Sequence, residues 1–192
     1  MLNNVTTIGI LGLTVSLIGC ADSDPAHVDI QAEADRPAKK KNPSMTDVEK
    51  PEFSLSLSGD WSERPSQDGF DFVNDSLGEQ VLVSVLDAKE SLDGAQLREA
   101  VEQLVEIRRT SIDQLSGGSA MLTKTESFSI SNGIGARFTG VDAGNKVQLA
   151  VEVHGFPHRV VTLSFYRYAL DDSDGFRSRI ESVTRSLAVS GT

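Results

Sequence analysis

Few side chains in this sequence are able to do chemistry, and their spacing decides what each is good for. Cys20 is the only thiol among 192 residues, so no internal disulfide forms and no second cysteine is left for nucleophilic or metal work. His154 and His158 flank Gly155-Phe156-Pro157. Across a hairpin two imidazoles can share a metal, but without a third ligand they make a poor site, and exposed turn residues are the expected reading. Asp172, Asp174 and Glu181 occupy calcium-loop offsets with Gly175 at the turn, yet Leu170 fills the first position and cannot ligate. A helix start is expected there instead. Gly133-Ile134-Gly135 copies part of a nucleotide loop, but it opens a strand, where no helix N-terminus meets a phosphate. No serine stands in a Gly-x-Ser-x-Gly elbow. Arg108-Arg109 and Arg177, Arg179 and Arg185 read as solvated helix faces, with an acidic partner as the alternative. Trp61 follows Gly59-Asp60 and is expected to plug the core or to form the lip of a pocket. No catalytic residue, cofactor or metal site is expected, and the chain is read as a non-enzyme.

Cys20 itself stands where an anchor chemistry would use it. Val5 to Ile18 is an apolar run softened by Thr6, Thr7, Thr14 and Ser16. It is too short to span a bilayer, which takes ~20 apolar residues, and suits the core of a signal peptide. Leu17-Ile18-Gly19-Cys20 closes it and resembles the bacterial lipobox. Small residues let the backbone enter a peptidase, and the thiol accepts diacylglycerol in thioether linkage. Several acyl chains, palmitate among them, give firm anchoring. Residues 1–19 are therefore expected to be a lipoprotein signal peptide. The n-region, Met1 to Asn4, lacks Lys and Arg, which departs from the usual pattern. Ala21 rather than Asp follows the Cys, which in enteric-type sorting favours the outer membrane over the inner. The expected location is the periplasmic side of the cell envelope.

Residues 20–51 then read as the lipidated Cys and a disordered tether. They are rich in Asp, Glu, Ala, Lys and Pro, and cannot bury enough surface to offset the entropy of ordering. Lys39-Lys40-Lys41 within it reads as solvated linker. The whole chain carries a formal charge of -10, and residues 1–20 hold no charged side chain, so the mature part carries all of it. Such a surface is repelled by nucleic acid, which is excluded as a main partner.

A folded domain is expected over residues 52–190. Phe53, Leu55 and Leu57 alternate with serines, the period of a half-buried strand. Gly69 to Val73 and Val81 to Leu86 follow as strands, the second apolar on both faces and hence central. The period then lengthens. Leu97, Val101, Leu104, Val105, Ile112 and Leu115 mark a helix of about six turns, capped by Asp93 with Gln96 and stopped at Gly117-Gly118. Leu122 to Ile130, Ile134 to Val141, Lys146 to His154 and Arg159 to Tyr166 are four strands joined by short loops, and so an antiparallel meander. Phe176, Ile180, Val183 and Leu187 define a closing amphipathic helix, with Asp171 to Asp174 at its positive end. The fold class expected is α+β: an antiparallel sheet of about six to seven strands packed by two amphipathic helices.

This order resembles the PsbP-like sandwich, and particularly the DcrB-like bacterial lipoproteins. The resemblance spans about residues 52–190. It rests on Phe53 to Trp61, on Gly135-Ala136-Arg137-Phe138-Thr139-Gly140, and on Val160 to Phe165 leading to the helix near Phe176. The superfamily has no catalytic signature, so no functional residue carries over. Its members mostly act as accessory or binding proteins; PsbP assists the photosynthetic oxygen-evolving complex. The resemblance implies an accessory or protein-binding lipoprotein with an envelope protein as partner. The alternative is a small-ligand binder using a cleft between sheet and helices, with Trp61 near it.

Overall fold

The computed structural model describes residues 45–67 and 69–191. Cys20, the signal peptide and the basic triplet lie outside them. In chain order the strands and helices are β1 (Met45–Glu49), β2 (Phe53–Ser58), β3 (Ser62–Arg64), β4 (Phe70–Asn74), β5 (Glu79–Asp87), α1 (Gly94–Leu115), β6 (Ala120–Leu122), β7 (Glu126–Ile130), β8 (Gly133–Asp142), β9 (Val147–Phe156), β10 (Arg159–Arg167), α2 (Ser173–Ser186) and β11 (Ala188–Val189). Eight strands form one antiparallel sheet in the order β3-β4-β5-β10-β9-β8-β6, with β7 also paired to β8. The fold is α+β with two helices, as the periodicities require.

Alternate residues of the long strands feed two separate cores. Leu149, Val151 and Val153 of β9, with Ala136, Phe138 and Val160, meet Leu97, Val101, Val105 and Ile112 of α1. Ala150, Val161, Leu163, Phe165, Val81 and Val83 point the other way, toward Phe176, Ile180 and Val183 of α2. The first helix starts at a complete capping box: Asp93 accepts from the amides of Ala95 and Gln96, and the Gln96 side chain accepts from the Asp93 amide.

Three expectations need correction. Phe53–Ser58 does not join the main sheet. It is the middle strand of a three-stranded sheet, β1-β2-β11, whose inner residues Val48, Phe53, Leu55 and Leu57 lie on the α2 core. The folded unit also begins before residue 52, because Met45–Glu49, read as tether, pairs antiparallel with β2. Only Val48 of that strand is buried, so its order rests on backbone pairing and leaves little hydrophobic signal. Finally, Leu122–Ile130 is two strands. Leu122 faces Gly140 but Glu126 faces Arg137, so one strand has an extra residue relative to its partner, as at a bulge. Thr123 fills the break: its amide donates to the Thr139 carbonyl at 2.8 Å, and its hydroxyl accepts the Thr139 amide at 3.0 Å.

Gly155 lies within β9 rather than in a turn, directly beneath α1. A Cβ there would come within 2.6 Å of Val101 Cγ2 and 2.8 Å of Leu97 Cδ1, both side chains buried in the core. Gly155→Val is therefore expected to lower stability by about 1–3 kcal/mol through overpacking. Urea unfolding measures this, and a cost under ~0.5 kcal/mol, typical of a surface change, would mean that α1 is free to shift.

Candidate functional site

A groove bordered by the buried Glu152 lies beside α2. On the α2 side of the sheet, that helix and the small sheet cover β5, β10 and β9, while the outward residues of β8, Arg137 and Thr139, are exposed. The step between α2 and these outer strands makes a groove. One half, ≈ 370 Å³, is lined by Met121, Val141, Phe176 and Ile180 together with Thr123, Thr139, Gln148, Ser173 and Arg177. The other half, ≈ 320 Å³, is lined by Glu126, Arg137, Glu152, Arg177 and Glu181. Both share Thr139, Ala150, Arg177 and Ile180, so they are continuous.

Strand register places each of these groups. Met121 faces Val141, which faces Gln148; Thr139 faces Ala150; Glu126 faces Arg137, which faces Glu152; Phe128 faces Gly135, which faces His154. In this last row Gly135 is a requirement of close approach. A Cβ there would fall 2.4 Å from the Phe128 ring, which lies over the glycine and meets the His154 ring edge-on at 5.5 Å between centroids. His154 is thus buried in the sheet, and the reading of both histidines as exposed turn residues holds for His158 alone. The hairpin turns one residue pair later than the glycine suggested. His154 Nε2 lies 3.1 Å from Glu152 Oε2, which also accepts the Thr184 hydroxyl of α2 at 3.0 Å. A buried carboxylate needs such partners. Alternation along Lys146–His154 marks Glu152 and His154 as neighbours on one face, a signal obscured by the adjoining Gly-Phe-Pro.

The far end of the groove is tied down by Asp142. Its carboxylate accepts Asn145 Nδ2 at 2.6 Å, the Ser119 hydroxyl at 2.8 Å and the Gly144 and Asn145 amides. These donors, the Asn145 side chain foremost and Ser119 next, hold the Asp142 carboxyl below its usual range. The loop before β6 is thereby fastened to the β8–β9 turn, which seats Met121 at the rim.

Other expected residues are placed elsewhere. Trp61 is half-buried against the α2 core, and its Nε1 donates to the Ser58 carbonyl at 3.1 Å. It borders a void of only ≈ 10 Å³, enough for one water at most, and does not line the groove. Arg108 and Arg109 are tied to the sheet, donating to the Ser84 hydroxyl and the Thr123 carbonyl, rather than lying freely on a solvated face. Asp172 and Glu181 diverge, the first paired with Arg179 and the second with Arg185. Among the described residues no three His, Cys, Asp or Glu side chains are grouped to hold a metal. Nor, among them, is any helix long and apolar enough to cross a membrane.

The described residues form an antiparallel sheet with a long helix on one face and a terminal helix on the other. The chain is similar to the solution structure of cyanobacterial PsbP from Synechocystis sp. PCC 6803, with a TM-score of 0.60 at 12% identity, over 81% of this chain and 98% of that one. It has a PsbP-like fold. A crystal structure from Bacteroides thetaiotaomicron VPI-5482 aligns with a TM-score of 0.39 at 17% identity, over 71% of this chain and 44% of that one. No family model matches the chain, and no curated protein does.

Proposed function

We propose that this chain is a non-catalytic binding module of the bacterial cell envelope, held on the periplasmic side of a membrane through lipid on Cys20, with the outer membrane favoured. In this reading it is an accessory lipoprotein akin to the DcrB-like group, and its partner is another envelope protein. The observation that carries the binding role is the groove beside α2, where the sheet presents side chains that no element among the described residues covers. The lipobox-like Leu17-Ile18-Gly19-Cys20 supports the anchor.

Cross-linking in intact cells followed by recovery of the lipidated chain tests the role. A defined envelope protein is expected, cross-linked through side chains near Arg137 and Thr139; recovery of lipid alone would overturn the reading. The anchor has its own test. Clickable palmitate should label the wild-type chain and not Cys20→Ala, and equal labelling would refute lipidation.

A second reading, a small-ligand-binding lipoprotein, is favoured by one observation. The apolar half of the groove, at ≈ 370 Å³, reaches the size of small-molecule sites and lies between sheet and helix.

A further inference from the structure

We propose that the groove takes a single-chain amphiphile with an anionic head group, its chain along the apolar half and its head on Arg177. This rests on the small-ligand reading and names the ligand class.

The charge pattern selects the sign. In the apolar half Arg177 is the only charged lining residue. In the polar half each carboxylate is already engaged: Glu126 with Arg137 at 3.1 Å, Glu152 with Thr184 and His154, and Glu181 with Arg185 at 3.1 Å. Arg137 is matched by Glu126, whereas Arg177 makes no hydrogen bond or ion pair with any described residue. The charged groove side chain left without a hydrogen-bond or ion-pair partner among the described residues is therefore a cation, on a chain whose net charge is -10. Such a cation attracts an anion over a short range, while the rest of the surface repels one.

The apolar half selects the rest of the ligand. Val141, Phe176 and Ile180 give it an apolar wall, the Gln148 amide in its lining is already spent on the Ala169 and Asp171 carbonyls, and Met121 stands at the rim 70% exposed. An exposed, flexible thioether beside a concave apolar wall suits an adaptable contact with a hydrocarbon chain. The volume lies at the low end of small-ligand sites, which fits one acyl chain rather than two.

The test is calorimetry on the full chain carrying Cys20→Ser, titrated below micellar concentration with palmitate, hexadecyl phosphate, hexadecanol or inorganic phosphate. Palmitate and hexadecyl phosphate should saturate at one per chain, and hexadecanol should bind at least tenfold more weakly. Inorganic phosphate should not bind, which separates a lipid head group from a free anion. Arg177→Glu and Thr139→Trp, both at exposed positions, should each weaken palmitate at least tenfold with an unchanged melting temperature. Equal binding of hexadecanol, palmitate binding that survives Arg177→Glu, or no binding of either anionic amphiphile would overturn the proposal. Native mass spectrometry of the chain recovered from its host separates this failure from that of the broader reading. A small molecule retained by wild type and lost in Thr139→Trp, with both anionic amphiphiles failing, would overturn the anionic amphiphile and keep the ligand site.

Discussion

Glu79→Ala is expected to cost about 3–5 kcal/mol, because it strands two arginines that were folded around one buried carboxylate. The Glu79 side chain is 3% exposed. It accepts Arg167 Nη1 at 3.1 Å, Arg179 Nε at 3.0 Å and Arg179 Nη2 at 2.5 Å. Arg167, 9% exposed, spends its other donors on the carbonyls of Leu77 and Asp171 and on the Asp171 carboxylate. Without Glu79, the buried Arg167 keeps only the exposed Asp171 carboxylate as counter-charge, and Arg179, 23% exposed, keeps only Asp172. For a domain of this size each kcal/mol moves the melting temperature by about 2–4 °C, so a fall of about 10 °C is expected. The comparison that isolates the cause is a triple apolar replacement, Glu79→Leu with Arg167→Met and Arg179→Leu. It should cost less than Glu79→Ala alone, since no buried charge is left unpaired and the carboxylates that lose a partner, Asp171 and Asp172, are exposed. If the single change proves as mild as a surface ion pair, the network is not buried in solution. The network also adds acid sensitivity. Arg167, by hydrogen bond and by charge, holds the Asp171 carboxyl below its usual value. The stability from that pairing is present at neutral pH and is lost as pH falls through the lowered folded-state value.

Phe53→Ala is expected to be about as damaging, at about 3–5 kcal/mol. Phe53 is fully buried, and its ring meets Phe70 edge-on at 5.2 Å between centroids. It belongs to the small sheet yet fills the core shared by α2 and the main sheet. Truncation leaves a cavity that β2 cannot close without breaking its ladders to β1 and β11. Met45→Ala, in the same sheet but 52% exposed, should stay within ~0.5 kcal/mol. Urea unfolding of the two variants decides the matter. Equal small losses would mean that the three-stranded sheet decorates the domain instead of sealing it.

The groove was only partly legible in the residues that form it. Arg177 could be placed on a helix surface, but its lack of a partner depends on Glu126 pairing with Arg137 and Glu181 with Arg185. His154 looked like a turn residue because Gly155-Phe156-Pro157 carries strong turn chemistry. In the fold, Gly155 instead gives α1 room to approach, and β9 runs on to Phe156.

Short-range patterning along the chain accounts for the local elements. The alternation of Phe53, Leu55 and Leu57 made a strand, the spacing from Leu97 to Ile112 made a helical stripe, and Asp93 with Gln96 set where that helix begins. Asn132-Gly133 and the loops after it made the meander antiparallel. Tertiary structure alone decided which surface each stripe met. Periodicity says that a face is buried but not against what, so the departure of β2 into a second sheet was invisible. So was the meeting of Glu79 with Arg167 and Arg179, about a hundred residues away, because such pairs are chosen by strand register and helix docking. The groove follows from the same cause: α2 covers one part of a sheet face whose remaining strands carry no stripe to bury.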